Sequence, residues 1–272
     1  MALRAQGKTL GFVPTMGALH EGHLALMREA RQRADIVVVS VFVNPLQFGP
    51  TEDLSRYPRA LEADRALCDA AGVDLLFVPD TASMYPPGFD TVVQPGALAK
   101  RLEGKLRPGH FEGVLTVVLK LLHLVQPHFA VFGEKDYQQL LVVRRMVRDL
   151  HLPVEIVPMP VLRELDGLAL SSRNRYLSTD MRARATCLYQ ALITAQELAA
   201  SGERRARALV SAARRVLRQT PAFELQYVAL ADPVTLEPVD ELQEPARMLI
   251  AGTLGKRPRV RLIDNAPLFP GG

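Results

Sequence analysis

An α/β fold built on a doubly wound parallel sheet, with a smaller C-terminal α+β domain behind it, is what this sequence predicts. Three observations lead there. Apolar β-branched runs alternate with helix-period stretches up to about Pro160. The run Ile36 to Val43 is apolar on both faces, broken only by Ser40, as in a strand covered by helices on both sides. After Pro160 the alternation stops, and helices are followed by a group of strands. The chain has 272 residues, 48% of them apolar and 23% charged. That is enough apolar material for two modest cores and too much for a disordered chain.

Leu10 to Val13 reads as the first strand, Gly22 to Arg33 as a helix stopping before Asp35, and Ile36 to Val43 as the second strand. This is a βαβ unit, whose crossover is right-handed as a rule. Pro58 to Ala71 is helical and Leu75 to Val78 extended, followed by the Pro/Gly-rich stretch Tyr85 to Gly88. Val114 to Val125 is an apolar helix closed by Pro127; Phe129 to Phe132 is a strand, Tyr137 to Leu150 a helix and Val154 to Val157 a strand. Repeated units of this kind make a Rossmann-like sheet. Beyond it come helices near Met181 to Ala200 and Glu203 to Gln219, then strands near Leu225 to Ala231, Arg247 to Ala251 and Val260 to Ile263. The expected domains are therefore 1–160 and 161–272.

Composition narrows the partners. With 33 basic and 29 acidic residues the net charge is +4, compatible with anionic substrates and too small to argue for nucleic acid. Glu203 to Arg218 carries six arginines, but Ala206, Leu209, Val210, Ala213 and Leu217 recur at helical spacing. A solvated basic face over one buried face explains them better than RNA binding, since no aromatics are interleaved. Cys68 and Cys187 stand too far apart in sequence for a disulfide framework or a thiolate zinc site, which favours a reducing cytoplasm. No apolar stretch approaches the ~20 residues that span a bilayer, so no membrane is expected.

Ligands of open parallel sheets bind outside the carboxyl ends of the strands. Three strand ends deliver donor-rich loops: Pro14 to His23, Asn44 to Gly49, and Gly133 to Gln139. His20 and His23 are three apart at a helix start, so their rings share a face. Gly22 allows close approach to the backbone, and free N–H groups with the helix dipole favour a phosphate. Two ordinary helix-start histidines or a metal pair are the alternatives; a metal site would need a third ligand at a diagnostic spacing, and none is evident. Lys135, between Glu134 and Asp136, reads either as part of a solvated charge cluster or as a cation at a phosphate. Ser171-Ser172-Arg173-Asn174 reads as a polar turn or as a phosphate clamp.

These residues resemble a known family. VPTMGALHEGH (Val13 to His23), YPR (Tyr57 to Arg59), VFVNPLQF (Val41 to Phe48), RPGHFEGV (Arg107 to Val114), FGEKDYQQL (Phe132 to Leu140), DGLALSSRN (Asp166 to Asn174) and RLIDN (Arg261 to Asn265) are similar to stretches of the pantoate–β-alanine ligases, or pantothenate synthetases, of the HIGH-motif nucleotidyltransferase superfamily. Nine residues precede the first strand, where members usually carry a longer segment with a helix. The resemblance implies that ATP activates (R)-pantoate as an acyl adenylate with release of pyrophosphate, and that β-alanine then displaces AMP. It implies that domain 1–160 binds nucleotide and pantoate and that domain 161–272 is a lid. It places Met16, Gly17, Ala18, Leu19, His20, Glu21, Gly22 and His23 along ATP, with both histidines on the phosphates and His23 as proton donor. Gly133, Glu134, Lys135 and Asp136 would surround the nucleotide, Lys135 on the phosphates and Asp136 toward the ribose. Leu162 would meet adenine through its backbone, and Leu170, Ser171, Ser172 and Arg173 would close over the triphosphate. Gln47 and Gln139 would hold pantoate, with Gln47 also bordering β-alanine. Mg²⁺ would come with ATP, bound mostly through phosphates and water, and the protein would be a cytoplasmic homodimer.

Two rivals share the superfamily chemistry. A nucleotidyltransferase acting on a phosphorylated acceptor would call for more positive charge than Gln47 and Gln139 supply. An aminoacyl-tRNA synthetase would need a tRNA-binding domain for which the chain has no room.

Overall fold

The structure is a computed structural model that describes residues 6–50 and 52–269. It divides into two compact units, Met1–Pro160 and Val161–Gly272.

In the first unit, β1 (Leu10–Thr15) leads through α1 (Glu21–Arg33) to β2 (Ile36–Val41), and α2 (Leu61–Ala70) leads to β3 (Leu75–Phe77). Two short helices follow, α3 (Thr81–Met84) and α4 (Leu102–Leu106). Then come the long α5 (His110–Val125), β4 (Phe129–Gly133), α6 (Tyr137–Asp149) and β5 (Glu155–Met159). All five strands are parallel, in the order β3-β2-β1-β4-β5. β1 pairs with β2 along its whole length, Leu10 opposite Ile36 through Thr15 opposite Val41, and with β4 at Gly11 and Phe12. The strand order reverses between β1 and β4, which opens a crevice outside their carboxyl ends.

Alternation along the strands explains the double winding. Phe12, Val38, Ala130 and Ile156 join a core with Val114, Val118 and Leu121 of α5 and Val143 and Met146 of α6. Val13, Val37, Val39, Val131 and Val157 join a separate core with Leu24, Met27 and Ala30 of α1 and Cys68 of α2. Each strand feeds both layers, so it reads as one continuous apolar run.

In the second unit, α7 (Thr179–Ala185), α8 (Cys187–Ala200) and α9 (Ala206–Gln219) precede an antiparallel sheet of β6 (Phe223–Ala231), β7 (Ala246–Leu254) and β8 (Val260–Leu268), with β7 in the middle. Leu188, Leu192, Leu209, Ala213 and Leu217 pack with Met248, Ile250 and Leu254. Both thiols are free and buried, and burial pushes each up to about 11. Among the described residues, no helix is long and apolar enough to cross a membrane.

Several boundaries differ from the sequence expectation. The helix expected from Val114 starts at His110, because Gly109 turns into the left-handed region (φ 80) and so admits a helix start directly after Pro108. The helix expected from Pro58 starts at Leu61, with Tyr57 held extended (ψ 128) as residues before proline are. The second strand stops at Val41 rather than Val43. The stretch Met181 to Ala200 is two helices, interrupted at Thr186, whose hydroxyl donates to Ala183 O. The C-terminal strands run to nine residues each, longer than their apolar cores suggested.

The two faces of α9 should respond oppositely to substitution. Leu209 is fully buried and Arg215 exposed. Leu209→Ala should cost roughly 2–5 kcal/mol in urea unfolding, and Arg215→Glu no more than about 0.5 kcal/mol. Equal costs would place the apolar face elsewhere.

Candidate active site

The loop after β1 is tightly bonded before the helix begins. Thr15 Oγ1 donates to Ser40 O at 2.7 Å and accepts the Gly17 N–H at 3.1 Å. Gly17 and Ala18 both take left-handed backbone, φ 79 and φ 51. A Cβ at Gly17 would lie 2.8 Å from Asp64 Oδ2 and 2.9 Å from Val41 Cγ1, so only glycine fits. Asp64, on α2 and 2% exposed, reaches across. Its Oδ2 accepts the Ala18 N–H at 2.9 Å and its Oδ1 the Leu19 N–H at 2.7 Å. Thr15 and Asp64 thus occupy the N–H groups of Gly17, Ala18 and Leu19, ahead of the helix start at which free N–H groups are expected.

His20 caps α1. Its Nδ1 accepts the Gly22 N–H at 3.1 Å, and His23 Nδ1 accepts the His20 N–H at 3.3 Å. The Gly22 N–H is thus committed, a departure from the open backbone expected at the helix start. The two rings lie 4.2 Å apart between centroids. Because both Nδ1 atoms accept from the backbone, each neutral ring carries its proton on Nε2. Among the described residues, no group of three or more His, Cys, Asp or Glu is arranged to hold a metal ion.

After β2 the chain makes a single tight turn, Pro45–Gln47, capped by Asn44. Asn44 is buried and fully engaged. Its Oδ1 accepts from Leu46 N–H (3.3 Å) and Tyr85 Oη (2.8 Å), and its Nδ2 donates to Gly113 O and to Gln47 Oε1, both at 3.1 Å. That last bond fixes which way the Gln47 amide faces, leaving its NH₂ toward Met16 Sδ at 2.9 Å. Gly113 permits the fit: a Cβ there would come within 2.2 Å of Leu46 O.

The backbone of Gln47 is held from below. His110 Nδ1 donates to Gln47 O at 2.8 Å, and Arg107 Nη2 lies 3.4 Å from the same oxygen. Arg107 grips Glu52 through two bonds of 2.6 and 2.7 Å, and its Nη1 lies 2.9 Å from His110 Nε2. With Nδ1 donating, His110 Nε2 accepts from Arg107, so the ring is neutral. Burial, joined by the Arg107 charge, pushes His110 down to about 4. Burial pushes the Glu52 carboxyl up, but the Arg107 hydrogen bonds and charge outweigh it and hold the group below its ordinary value.

The loop after β4 carries Gly133 to Asp136. Lys135 Nζ is 3.8 Å from Asp136 Oδ1, and the lysine side chain is mostly covered. The adjacent glutamines have separate fates. Gln138 is buried and used internally, accepting from Glu103 N–H and donating to Leu98 O and Arg101 O. Gln139 is half-buried, and among the described residues its amide has no hydrogen-bond partner. In the second unit, the Leu170 N–H donates to Leu162 O at 2.9 Å, and Ser171 caps the turn Ser172–Tyr176 through the Arg173 N–H.

In the first unit, then, Met16 and Gln47 are in contact, the His20 and His23 rings meet at a tilt of 48°, and the Lys135 loop leaves the strand next to β1. Sequence reasoning did not single out Asp64, Asn44, Arg107 or His110 as site residues. Asn44 was the most visible of them, since Asn before Pro marks a turn cap.

A parallel sheet with this strand order, with donor-rich loops on both sides of its switch point, places the protein in the doubly wound α/β class, whose members bind ligands at that point. Residues 1–267 match the family described as pantoate-beta-alanine ligase. A pantothenate synthetase of Thermus thermophilus is 57% identical over 262 residues, covering 96% of this chain and 94% of the relative. One of Trichlorobacter lovleyi is 51% identical over 268 residues, covering 98% and 94%. A crystal structure of a Thermus thermophilus pantothenate synthetase superposes with a TM-score of 0.93 at 57% identity, covering 96% of this chain and 94% of that one. The Francisella tularensis pantoate-beta-alanine ligase, solved in complex with beta-gamma ATP and beta-alanine, superposes at 0.79 with 36% identity, covering 96% and 90%. The chain belongs to the pantoate–β-alanine ligase family, a family of ligases.

The His110 arrangement predicts acid lability. A group lowered from about 6.5 in the unfolded chain to about 4 in the fold contributes stability that is complete above pH 6.5 and is lost as pH falls through 4. Between pH 7.5 and 5 this amounts to about 2 kcal/mol in urea unfolding. His110→Asn, which keeps a donor for Gln47 O without titrating, should lose correspondingly less over that interval. Identical pH slopes in the two proteins would show that His110 does not titrate on unfolding.

Proposed function

We propose that this protein condenses (R)-pantoate with β-alanine at the expense of ATP. The pantoate carboxylate attacks the α-phosphorus of MgATP, giving pantoyl adenylate and pyrophosphate. The β-alanine amine then attacks the acyl carbon, and the products are pantothenate and AMP. Family membership supports the overall reaction, and the Francisella relative's complex with beta-gamma ATP and beta-alanine supports the substrates.

One observation carries the reading to particular residues. Met16, on the loop that leads to the histidine-capped helix start, meets the Gln47 amide, which Asn44 fixes with its NH₂ group toward that loop. It supports a reading in which the helix start meets phosphate and the neutral amide meets a hydroxy acid. Gln47 and Gln139 hold the hydroxyls and carboxylate of pantoate. Gln139 suits this role because, among the described residues, its amide is not committed within the protein, unlike that of Gln138.

Met16 to His23 line the nucleotide, His20 and His23 meet its phosphates, and His23 supplies a proton to the leaving pyrophosphate from Nε2. Gly133 to Asp136 surround the nucleotide, with Asp136 toward the ribose. Lys135 neutralises charge developing on the phosphates, the kind of contribution worth on the order of 10²–10³ in rate. Leu162 and Leu170 to Arg173 supply the second unit's contacts to adenine and triphosphate, and that unit serves as a lid. Mg²⁺ arrives with ATP as part of the substrate, held through phosphate and water. Holding the adenylate away from water keeps it for the amine. The protein works as a homodimer in the cytoplasm.

Pantoate labelled with oxygen-18 in its carboxylate tests the mechanism. The label should appear in AMP, because that oxygen bridges to phosphorus in the adenylate. Pantoate and ATP without β-alanine should release about one equivalent of pyrophosphate and then stop. ADP with phosphate as products would replace the adenylate by an acyl phosphate. Formation of no pantothenate at all would overturn the function.

A further inference from the structure

The RLIDN stretch ends in two consecutive buried polar residues, Asp264 and Asn265, each 3% exposed, on the edge strand β8. Successive residues of a strand point to opposite faces, and an arginine meets the side chain of each: Arg247 that of Asn265 and Arg163 that of Asp264. Arg163 makes the larger set of bonds. Its Nη1 and Nη2 donate to the two oxygens of Asp264 at 2.6 and 2.9 Å, Nη2 reaches Asn265 O at 3.3 Å, and Nη1 reaches Gly167 O at 2.9 Å. The guanidinium also lies over the Tyr189 ring, 4.7 Å from its centroid. Gly167 (φ 92) is pressed against the same ring, where a Cβ would come within 1.9 Å. Arg247 Nε donates to Asn265 Oδ1 at 2.7 Å and ties this end of β8 to β7.

Arg163 belongs to a small hairpin. It pairs with Ala169 in an antiparallel bridge, Glu164 N–H donates to Leu168 O, and Leu170 N–H donates to Leu162 O. Arg182 holds the tip through Glu164 and Asp166. Asn174 Nδ2 donates to Ala169 O at 3.0 Å, linking the hairpin to the Ser172–Tyr176 turn. The guanidinium is therefore the joint between the sheet of the second unit and the segment carrying Leu162, Leu170 and Ser171 to Arg173. A buried ion pair is weak as a source of stability, since its desolvation cancels much of its attraction. What a bidentate fork supplies is a fixed plane and angle.

We propose that Arg163, locked by Asp264 and Asn265, is a positioning residue that sets the angle of the hairpin and of the Ser171–Arg173 loop for gripping ATP. The inference rests on the reading that this segment contacts the nucleotide. Arg163 itself touches no reacting atom. Its loss should weaken the hold on ATP and leave the pantoate contacts, made by Gln47 and Gln139 in the first unit, unchanged.

Two variants test this. Arg163→Lys keeps the charge and loses the fork. The double variant Arg163→Met with Asp264→Leu keeps the site buried and apolar. Each is assayed well below its own melting temperature for separate KM values, and for MgATP binding by calorimetry without pantoate. The expected result is a rise of about tenfold or more in the KM and Kd for MgATP, with the pantoate KM within about twofold and the double variant melting no lower than the parent. A double variant with the parent's MgATP affinity, or an equal rise in the KM of all three substrates, would overturn the proposal. A parent protein that neither binds MgATP nor forms pantothenate would instead remove the functional reading, so the two failures are distinguishable.

Discussion

The Asp64 carboxylate is the constraint on which the rest of the site depends. The chain leaves β1 into two successive left-handed residues, one of them the non-glycine Ala18. Such backbone costs roughly 1–2 kcal/mol at an L-residue and persists only where its surroundings over-determine it. Asp64 does so by taking the Ala18 and Leu19 N–H groups on its two oxygens while Leu19 is buried in the core of α1. Charge-assisted bonds from a buried carboxylate are among the stronger ones available. With Ala18 and Leu19 fixed, His20 falls at the start of α1, and the mutual capping of His20 and His23 sets the two rings.

The same device recurs around Gln47. Asn44, His110 and the Arg107–Glu52 fork spend their hydrogen bonds on one another and on the turn Pro45–Gln47. The second unit uses a buried arginine and aspartate for the hairpin that leads to Ser171. In each case buried polar groups spend their hydrogen bonds on holding a neighbouring polar loop in place. This is the arrangement expected where chemistry depends on preorganised donors. Gln138, beside Gln139, is another such group, tying α4 and its approach to α6.

Much of this was legible in the sequence, for identifiable reasons. The parallel sheet announced itself through apolar β-branched runs of the kind buried on both faces, Ile36 to Val43 above all. The H-x-G-H helix start announced itself through its histidine spacing after a strand. The polar anchors were not legible. Asp64 lies in LEADRALCDA, where an aspartate in a helix looks like ordinary solvated charge, and its partners are more than forty positions away. Asp264 and Asn265 look like breaks in a strand until Arg163, about a hundred positions earlier, is brought beside them. Periodicity reports which face of an element is buried. It carries no information on which distant polar groups meet there.

The central claim is that the loop after β1 is fixed by Asp64 before any substrate arrives. Amide hydrogen exchange of Ala18 and Leu19 in the ligand-free protein tests it most directly. The account predicts that these two amides, although they lie in a loop, exchange slowly, protected by a factor on the order of 10³ or more, like groups released only by large-scale opening. Exchange as fast as that of the exposed Gly88 amide would contradict it and leave the site to be organised by its ligands.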